Sequence, residues 1–153
     1  MDINRFNIRV YFILKSQTDG RILLSDERIQ GKPYTKFPGG GLEFGEGPED
    51  CAKREAMEEL GQEIKILAHL YTTGFFQPSA FRKSDQIISI YYHAELMDFP
   101  AFNTGKQRFD FQDGDNTDQV FRWVSLEELD MEEFELPIDK HVVGLLKRQY
   151  SSH

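Results

Sequence analysis

The chain has 153 residues and a mass of 17.8 kDa, enough to bury a core without staples and too short for two independent domains, so a single domain over residues 1–153 is expected. Its 39% apolar, 13% aromatic and 29% charged residues exclude disordered and collagen-like chains, and no apolar run reaches the roughly 18 residues of a membrane span. The formal charge of −8 opposes a nucleic-acid backbone, yet is compatible with a small polyanion bound through divalent cations. A single cysteine, Cys51, excludes an internal disulfide and a thiolate metal cluster. Residues Met1-Asp2-Ile3-Asn4-Arg5 lack the basic-then-apolar order of a secretory leader, so a cytoplasmic location with no membrane partner is expected.

In chain order, Ile8 to Lys15 and Arg21 to Ser25 are apolar runs flanking Asp19-Gly20, which predicts a hairpin. The glycine-rich stretch Gly31 to Gly47 predicts a loop with short extended pieces, suited to bringing backbone close to a ligand. A helix is predicted from Pro48 to Leu60. Pro48 suits the first helical position, Glu49 and Asp50 the positive end of the dipole, and Gly61 the residue past the end. Ala52, Ala56 and Leu60 recur every fourth residue and form its buried stripe. Strands are predicted at Ile64 to Thr72, Gln86 to Leu96 and Gln119 to Val124, where β-branched and aromatic residues cluster. Ser125 caps a short helical turn at Leu126 to Leu129, and Pro137 to Tyr150 closes the chain as a helix with Ile138, Val142, Leu145 and Leu146 on one face. Interspersed strands and two helices predict an α/β/α or α+β sandwich. Two polar, aromatic-sprinkled stretches, Gly74 to Asp85 and Asp98 to Asp118, have the length of functional or mobile loops.

Chemistry concentrates between Gly40 and Gln62, where seven acids face Lys53 and Arg54. At about 100° per residue, Glu55 and Glu59 stand nearly one above the other and Glu58 lies one turn from Glu55. The three carboxylates share an arc beside the Ala52/Ala56 stripe and repel one another. An isolated E-x-x-E-E reads as a solvated helix face. Here Pro38-Gly39-Gly40-Gly41 lies close enough to fold back over the helix and add a backbone carbonyl, and a Glu46–Arg54 ion pair would tie loop to helix, leaving Glu55, Glu58 and Glu59 for an ion. All-oxygen donors point to Mg²⁺ or Mn²⁺.

Gly40, Glu46, Arg54-Glu55, Glu58-Glu59 and Gly61 match the box G-x5-E-x7-R-E-U-x-E-E-x-G-U, with U a bulky apolar residue, and on these residues the chain resembles the Nudix hydrolases. Two positions depart from it: Ala56 is small and Gln62 is polar, with Ile64 available as the missing apolar anchor. The segment Arg122-Trp123-Val124-Ser125-Leu126-Glu127-Glu128-Leu129 is similar to the family's last strand and turn. The resemblance implies a Nudix-type α/β/α sandwich with a mixed central sheet and Mg²⁺-dependent hydrolysis of a nucleoside diphosphate linked to another moiety. It also implies roles. Glu55, Glu59 and the Gly39 carbonyl are the expected metal ligands, Glu58 ligates or acts as base, and Asp118, Asp115 or Asp113 offers an alternative base, with Asp118 favoured. A homodimer is consistent with family habit.

Family members that cleave ADP-ribose often carry a proline about 16 residues beyond the box, and Pro78 lies 16 past Gln62. Phe75, Phe76 or Phe81 would stack on a base and Arg82 or Lys83 meet phosphate, so Phe76, Pro78 and Arg82 are the expected substrate-binding residues. Nucleoside triphosphates, oxidised ones included, and dinucleoside polyphosphates compete as substrates. From other classes, a nucleotide-sensing Nudix module would not need the whole acidic set, and a prenyl-diphosphate isomerase would need a reactive Cys and Glu pair that Cys51, inside the box helix, does not offer. His69, His93, His141 and His153 have no close pairing in sequence and are expected to be structural or solvated.

Overall fold

The structure, a computed structural model, describes residues 2–112 and 118–151. In chain order the elements are β1 (Arg5–Leu14), β2 (Ile22–Ile29), β3 (Lys32–Lys36), β4 (Gly39–Gly41), α1 (Pro48–Leu60), β5 (Ile64–Thr72), β6 (Asp85–Leu96), β7 (Gln119–Val124), a 3-10 turn (Met131–Glu133) and α2 (Pro137–Ser151). They form two compact units, Met1–Leu14 with Pro38–Pro100 and Lys15–Phe37 with Ala101–His153. No described helix is long and apolar enough to cross a membrane.

The first unit holds a mixed sheet in the order β4-β1-β6-β5, with β1 parallel to β6 and antiparallel to β4. Val10 to Leu14 are buried without interruption because β1 lies between two strands with both of its faces covered, which removes any need for polar alternation. Helix α1 has the boundaries expected from its punctuation. Gly47 is its N-cap and donates its N–H to the Asp50 carboxylate (3.0 Å), while Gly61 closes it at φ 68° and bonds back to the Met57 carbonyl (3.0 Å). Its buried face is Cys51, Ala52, Ala56 and Leu60. The small residues of that stripe let the helix backbone approach closely. Ala56, slight for its place in the motif, is fully buried, and Ile64 is buried where Gln62 is not. Gln62 uses its amide to bond the Phe99 carbonyl (2.8 Å).

The second unit is built on an antiparallel sheet in the order β3-β2-β7. Phe37 and Phe134 stack within it at 5.2 Å, and Ile138, Val142, Val143 and Leu146 of α2 are buried, with Leu145 only half-buried. The hairpin expected at Asp19-Gly20 is corrected. The turn exists, with Gly20 at φ 74° and Ser16 N–H bonded to the Arg21 carbonyl (2.7 Å), but only an isolated Lys15–Ile22 bridge joins the two runs. The runs then part, β1 to β4 and β6, β2 to β3 and β7. Ser125 accepts the Glu128 N–H as a cap does (3.2 Å), yet residues 126–128 form a turn and the regular 3-10 helix starts only at Met131.

The described part of the long 98–118 stretch is anchored rather than loose. Asp26, fully buried on β2, accepts hydrogen bonds from Arg122 Nε (2.7 Å), Thr35 Oγ1 (2.8 Å) and the Phe109 N–H (3.0 Å). Arg108 adds bonds to Thr35 Oγ1 (3.0 Å), Glu135 (3.0 Å) and the Glu133 carbonyl. A buried carboxylate is tolerable only when so satisfied, and its removal strands the Arg122 charge. Asp26→Ala is therefore expected to destabilise the protein by about 3–5 kcal/mol in urea denaturation, and a loss below about 1 kcal/mol would show that the network is not needed.

Candidate active site

Three short pieces build the site: the glycine strand β4, the loop 42–47 and the outer face of α1. The side chains and backbone of β1 leave no room for a Cβ on Gly39, which sits at φ 151°: one there would lie 2.1 Å from the Val10 carbonyl oxygen and 2.7 Å from Tyr11 Cα. Gly40 is required for a different reason. A Cβ on it would lie 2.3 Å from Glu55 Oε1 and 2.4 Å from its Cδ, so the Glu55 carboxylate occupies the space a side chain would take. The first glycine of the box and its first helical acid are thus one packed contact.

Arg54 organises the acids. Nε and Nη2 hold both oxygens of Glu46 (2.9 and 2.8 Å), Nη2 also reaches the Gly41 carbonyl (2.9 Å), and Nη1 bonds Glu55 Oε1 (3.0 Å) and Glu58 Oε2 (3.2 Å). Glu43 lies 3.7 Å from Nε, and its N–H donates to Glu46 (2.9 Å). The expected Glu46–Arg54 pair is present, but Arg54 does more than tie the loop. It also engages Glu55 and Glu58, the acids expected to be left for an ion. The i,i+4 spacing of Arg54 and Glu58 carried that signal in the sequence, whereas adjacency gave none for Glu55.

These contacts set the protonation of the cluster. The Arg54 guanidinium, with help from the Glu43 N–H, holds Glu46 down to about 2 from an ordinary 4.5. Glu46 first and Glu55 next raise Arg54 further above its already high value. Burial, followed by the neighbouring Glu46 carboxylate, pushes the Cys51 thiol up to about 12. Cys51 is therefore a protonated, buried packing group despite its place near the helix start.

The acids differ in exposure: the Glu55 side chain is 13% exposed and Glu58 58%. Glu59 is half-buried, and its Oε2 is fully buried and accepts no hydrogen bond, although the residue is engaged elsewhere. Among the described residues no three His, Cys, Asp or Glu side chains converge on a ready-made ion site. The donor set still fits a hard divalent cation: all oxygen, carried on a rigid helix, with Glu55 wedged against backbone and a buried carboxylate oxygen beside it.

The other expected residues sit elsewhere. Phe76, Pro78 and Arg82 lie on the β5–β6 connection, which folds back on β6 through a Pro78–Gln86 bridge and an Ile87 N–H to Gln77 carbonyl bond (2.8 Å). Phe76 and Arg82 are exposed there, and Ser79 Oγ accepts the Phe81 and Arg82 N–H groups (3.0 and 3.1 Å). Asp118 is exposed just before β7, its carbonyl accepting the Arg28 N–H (2.8 Å). Asp113 and Asp115, like His153, lie outside the described residues.

The mixed sheet thus sets its glycine strand against an arginine-clamped acidic helix. The model of the NUDIX domain matches residues 5–145, and the chain belongs to that family. Similar folds include a NUDIX hydrolase from Nitrosomonas europaea, with TM-score 0.69 and 16% identity over 95% of this chain and 90% of that one. A MutT protein from Methanosarcina mazei Go1 matches with TM-score 0.65 and 17% identity over 96% of each chain. An ADP-ribose pyrophosphatase from Streptococcus suis 89-1591 matches with TM-score 0.61 and 14% identity over 94% and 91%.

Two predictions follow from this geometry. Gly40→Ala is expected to fold but to displace the Glu55 carboxylate, raising the divalent-cation concentration for half-maximal activity by about 10- to 100-fold, as read from a metal titration; an unchanged titration removes the contact from the site. Because the Glu46 value is lowered in the folded state, its contribution is complete above pH about 4.5 and is lost as pH falls toward about 2. Glu46→Gln should be less stable than the parent at neutral pH, and the difference should shrink across that window in denaturation followed by circular dichroism.

Proposed function

We propose that the chain hydrolyses the pyrophosphate bond of a nucleoside diphosphate linked to another moiety, with an ADP-ribose-like molecule as the favoured substrate and Mg²⁺ or Mn²⁺ as cofactor. The observation that carries this reading is the Glu55 carboxylate pressed against Gly40 and held by Arg54, because a fixed anionic oxygen beside bare backbone is what a shared cation and phosphate need. Glu55, Glu58, Glu59 and the Gly39 carbonyl would hold the ion. When bound, it supplies charge neutralisation at phosphorus.

The protein's own groups do the rest. Glu58 takes the proton from the attacking water, with Asp118 as the alternative base. Water adds to one phosphorus as the bridging P–O bond breaks, and the leaving phosphate departs on the opposite side. Arg54 and Glu46 keep the carboxylates at fixed positions on α1 throughout. Phe76 offers a face to a base and Arg82 a guanidinium to a phosphate, while Pro78 stiffens the turn between them. The same clamped acidic set would serve a second reading, hydrolysis of a nucleoside triphosphate, oxidised ones included. The complete acidic set supports an enzyme over a sensor. A single-domain, cytoplasmic homodimer with no nucleic-acid or membrane partner belongs to the same proposal.

Glu59→Gln is expected to lower kcat by about 10²- to 10⁴-fold at unchanged thermal stability. The assay is a panel of ADP-ribose, other nucleoside diphosphate derivatives and triphosphates with Mg²⁺, read by phosphate release and product chromatography. Undiminished turnover in that variant removes the assigned role, and no Mg²⁺-dependent cleavage of any member by the parent sinks the reading.

A further inference from the structure

Strand β4 is three glycines long, and its two faces meet different chemistry. Gly40 turns toward Glu55 on α1, whereas side chains built on Gly39 and Gly41 would meet Tyr11 Cδ1 (2.7 Å) and Arg9 Nη1 (3.4 Å). Arg9 pairs in register with Gly41 across the β1–β4 ladder, and Tyr11 pairs with Gly39. Arg9 and Tyr11 therefore share the sheet face opposite the acidic helix, separated from it by one strand that carries no side chains.

On that face Arg9 is half-buried, with Nε donating to the Tyr11 hydroxyl (3.3 Å) and its Cζ 5.9 Å from the Tyr11 ring centre. Tyr11 itself stacks on Tyr91 (5.1 Å). The aromatic pair is buried and gives the guanidinium a stiff floor. Partial burial of a cation on a strand that continues as Val10 to Leu14 costs desolvation, which a neutral residue would avoid. A planar fork of five donors beside a bare strand at the sheet's end is suited to a phosphate oxygen pair.

We propose that Arg9 is a phosphoryl-binding residue of the substrate site, taking a phosphate of a nucleoside diphosphate that straddles the glycine strand while the acids of α1 serve the other phosphate. The proposal rests on the reading of this site as a pyrophosphohydrolase. Arg54 cannot fill the role, because it is committed to Glu46, Glu55, Glu58 and the Gly41 carbonyl. Neutral Arg9→Gln removes the charge, and Arg9→Lys keeps the charge while losing the fork.

The test measures kcat and KM on the best substrate of the panel, together with the thermal shift produced by ADP with Mg²⁺ in the parent, R9Q and R9K. Loss of one charged hydrogen-bonding pair should raise KM about 10- to 100-fold in R9Q with a far smaller fall in kcat, diminish the ADP shift, and leave R9K intermediate. An unchanged KM and ADP shift in R9Q, with only the ligand-free melting temperature altered, overturns the proposal and assigns Arg9 to packing. If the parent hydrolyses nothing yet R9Q still weakens ADP binding, the proposed reaction fails while the phosphoryl role stands; absence of ADP binding to the parent overturns the phosphoryl role.

Discussion

The arrangement around α1 depends on one guanidinium. Glu46, Glu55 and Glu58 sit within bonding distance of Arg54, and the Gly41 carbonyl is bonded to the same group. Without that cation the carboxylates would repel one another and the loop 42–47 would have no reason to close on the helix. With it, like charges are gathered at fixed positions before any ion arrives, so metal binding does not have to supply the energy of assembling them. The lowered Glu46 value is the thermodynamic trace of that clamp.

The second constraint is steric. A strand with no side chains lets a carboxylate lie directly on the backbone at Gly40, and the tight approach of Gly39 to Val10 and Tyr11 fixes where that strand runs. The small residues Ala52 and Ala56 on the facing side of α1 are fully buried, so helix and glycine strand approach as closely as backbone permits. Charge clamp and close packing reinforce each other: Arg54 reaches the Gly41 carbonyl, and Glu55 reaches Gly40, only because nothing larger intervenes.

The second unit solves a different problem. A long connection without regular structure would ordinarily be mobile, yet its described part is tied to the sheet β3-β2-β7 through Asp26, Thr35 and Arg122, all buried. A backbone N–H, a hydroxyl and a guanidinium together satisfy one buried carboxylate. The cost of taking that charge out of water is met by bonds from β3, β7 and the connection at once, which is why the network orders the segment as well as the sheet.

Elements governed by local chemistry were legible in the sequence. Helix α1 begins and ends where Pro48 and Gly61 say it must, and β5 and β7 match their apolar runs, because caps, turns and periodicity act over a few residues. The box gave the family and the identity of the acids, since their spacing on a helix is fixed by its pitch. Partnership was not legible. Asp19-Gly20 makes a turn, but the strands on either side join different sheets, and no local signal tells an apolar strand which neighbour it will bond. Likewise the Asp26 network and the position of Arg9 beside Gly41 arise from residues brought together across strands or between sheet and connection. Sequence determined which groups could do chemistry here; the pairing of β1 with β4 and the docking of α1 on it decided which of them meet, because long-range packing selects among contacts that local propensity leaves equivalent.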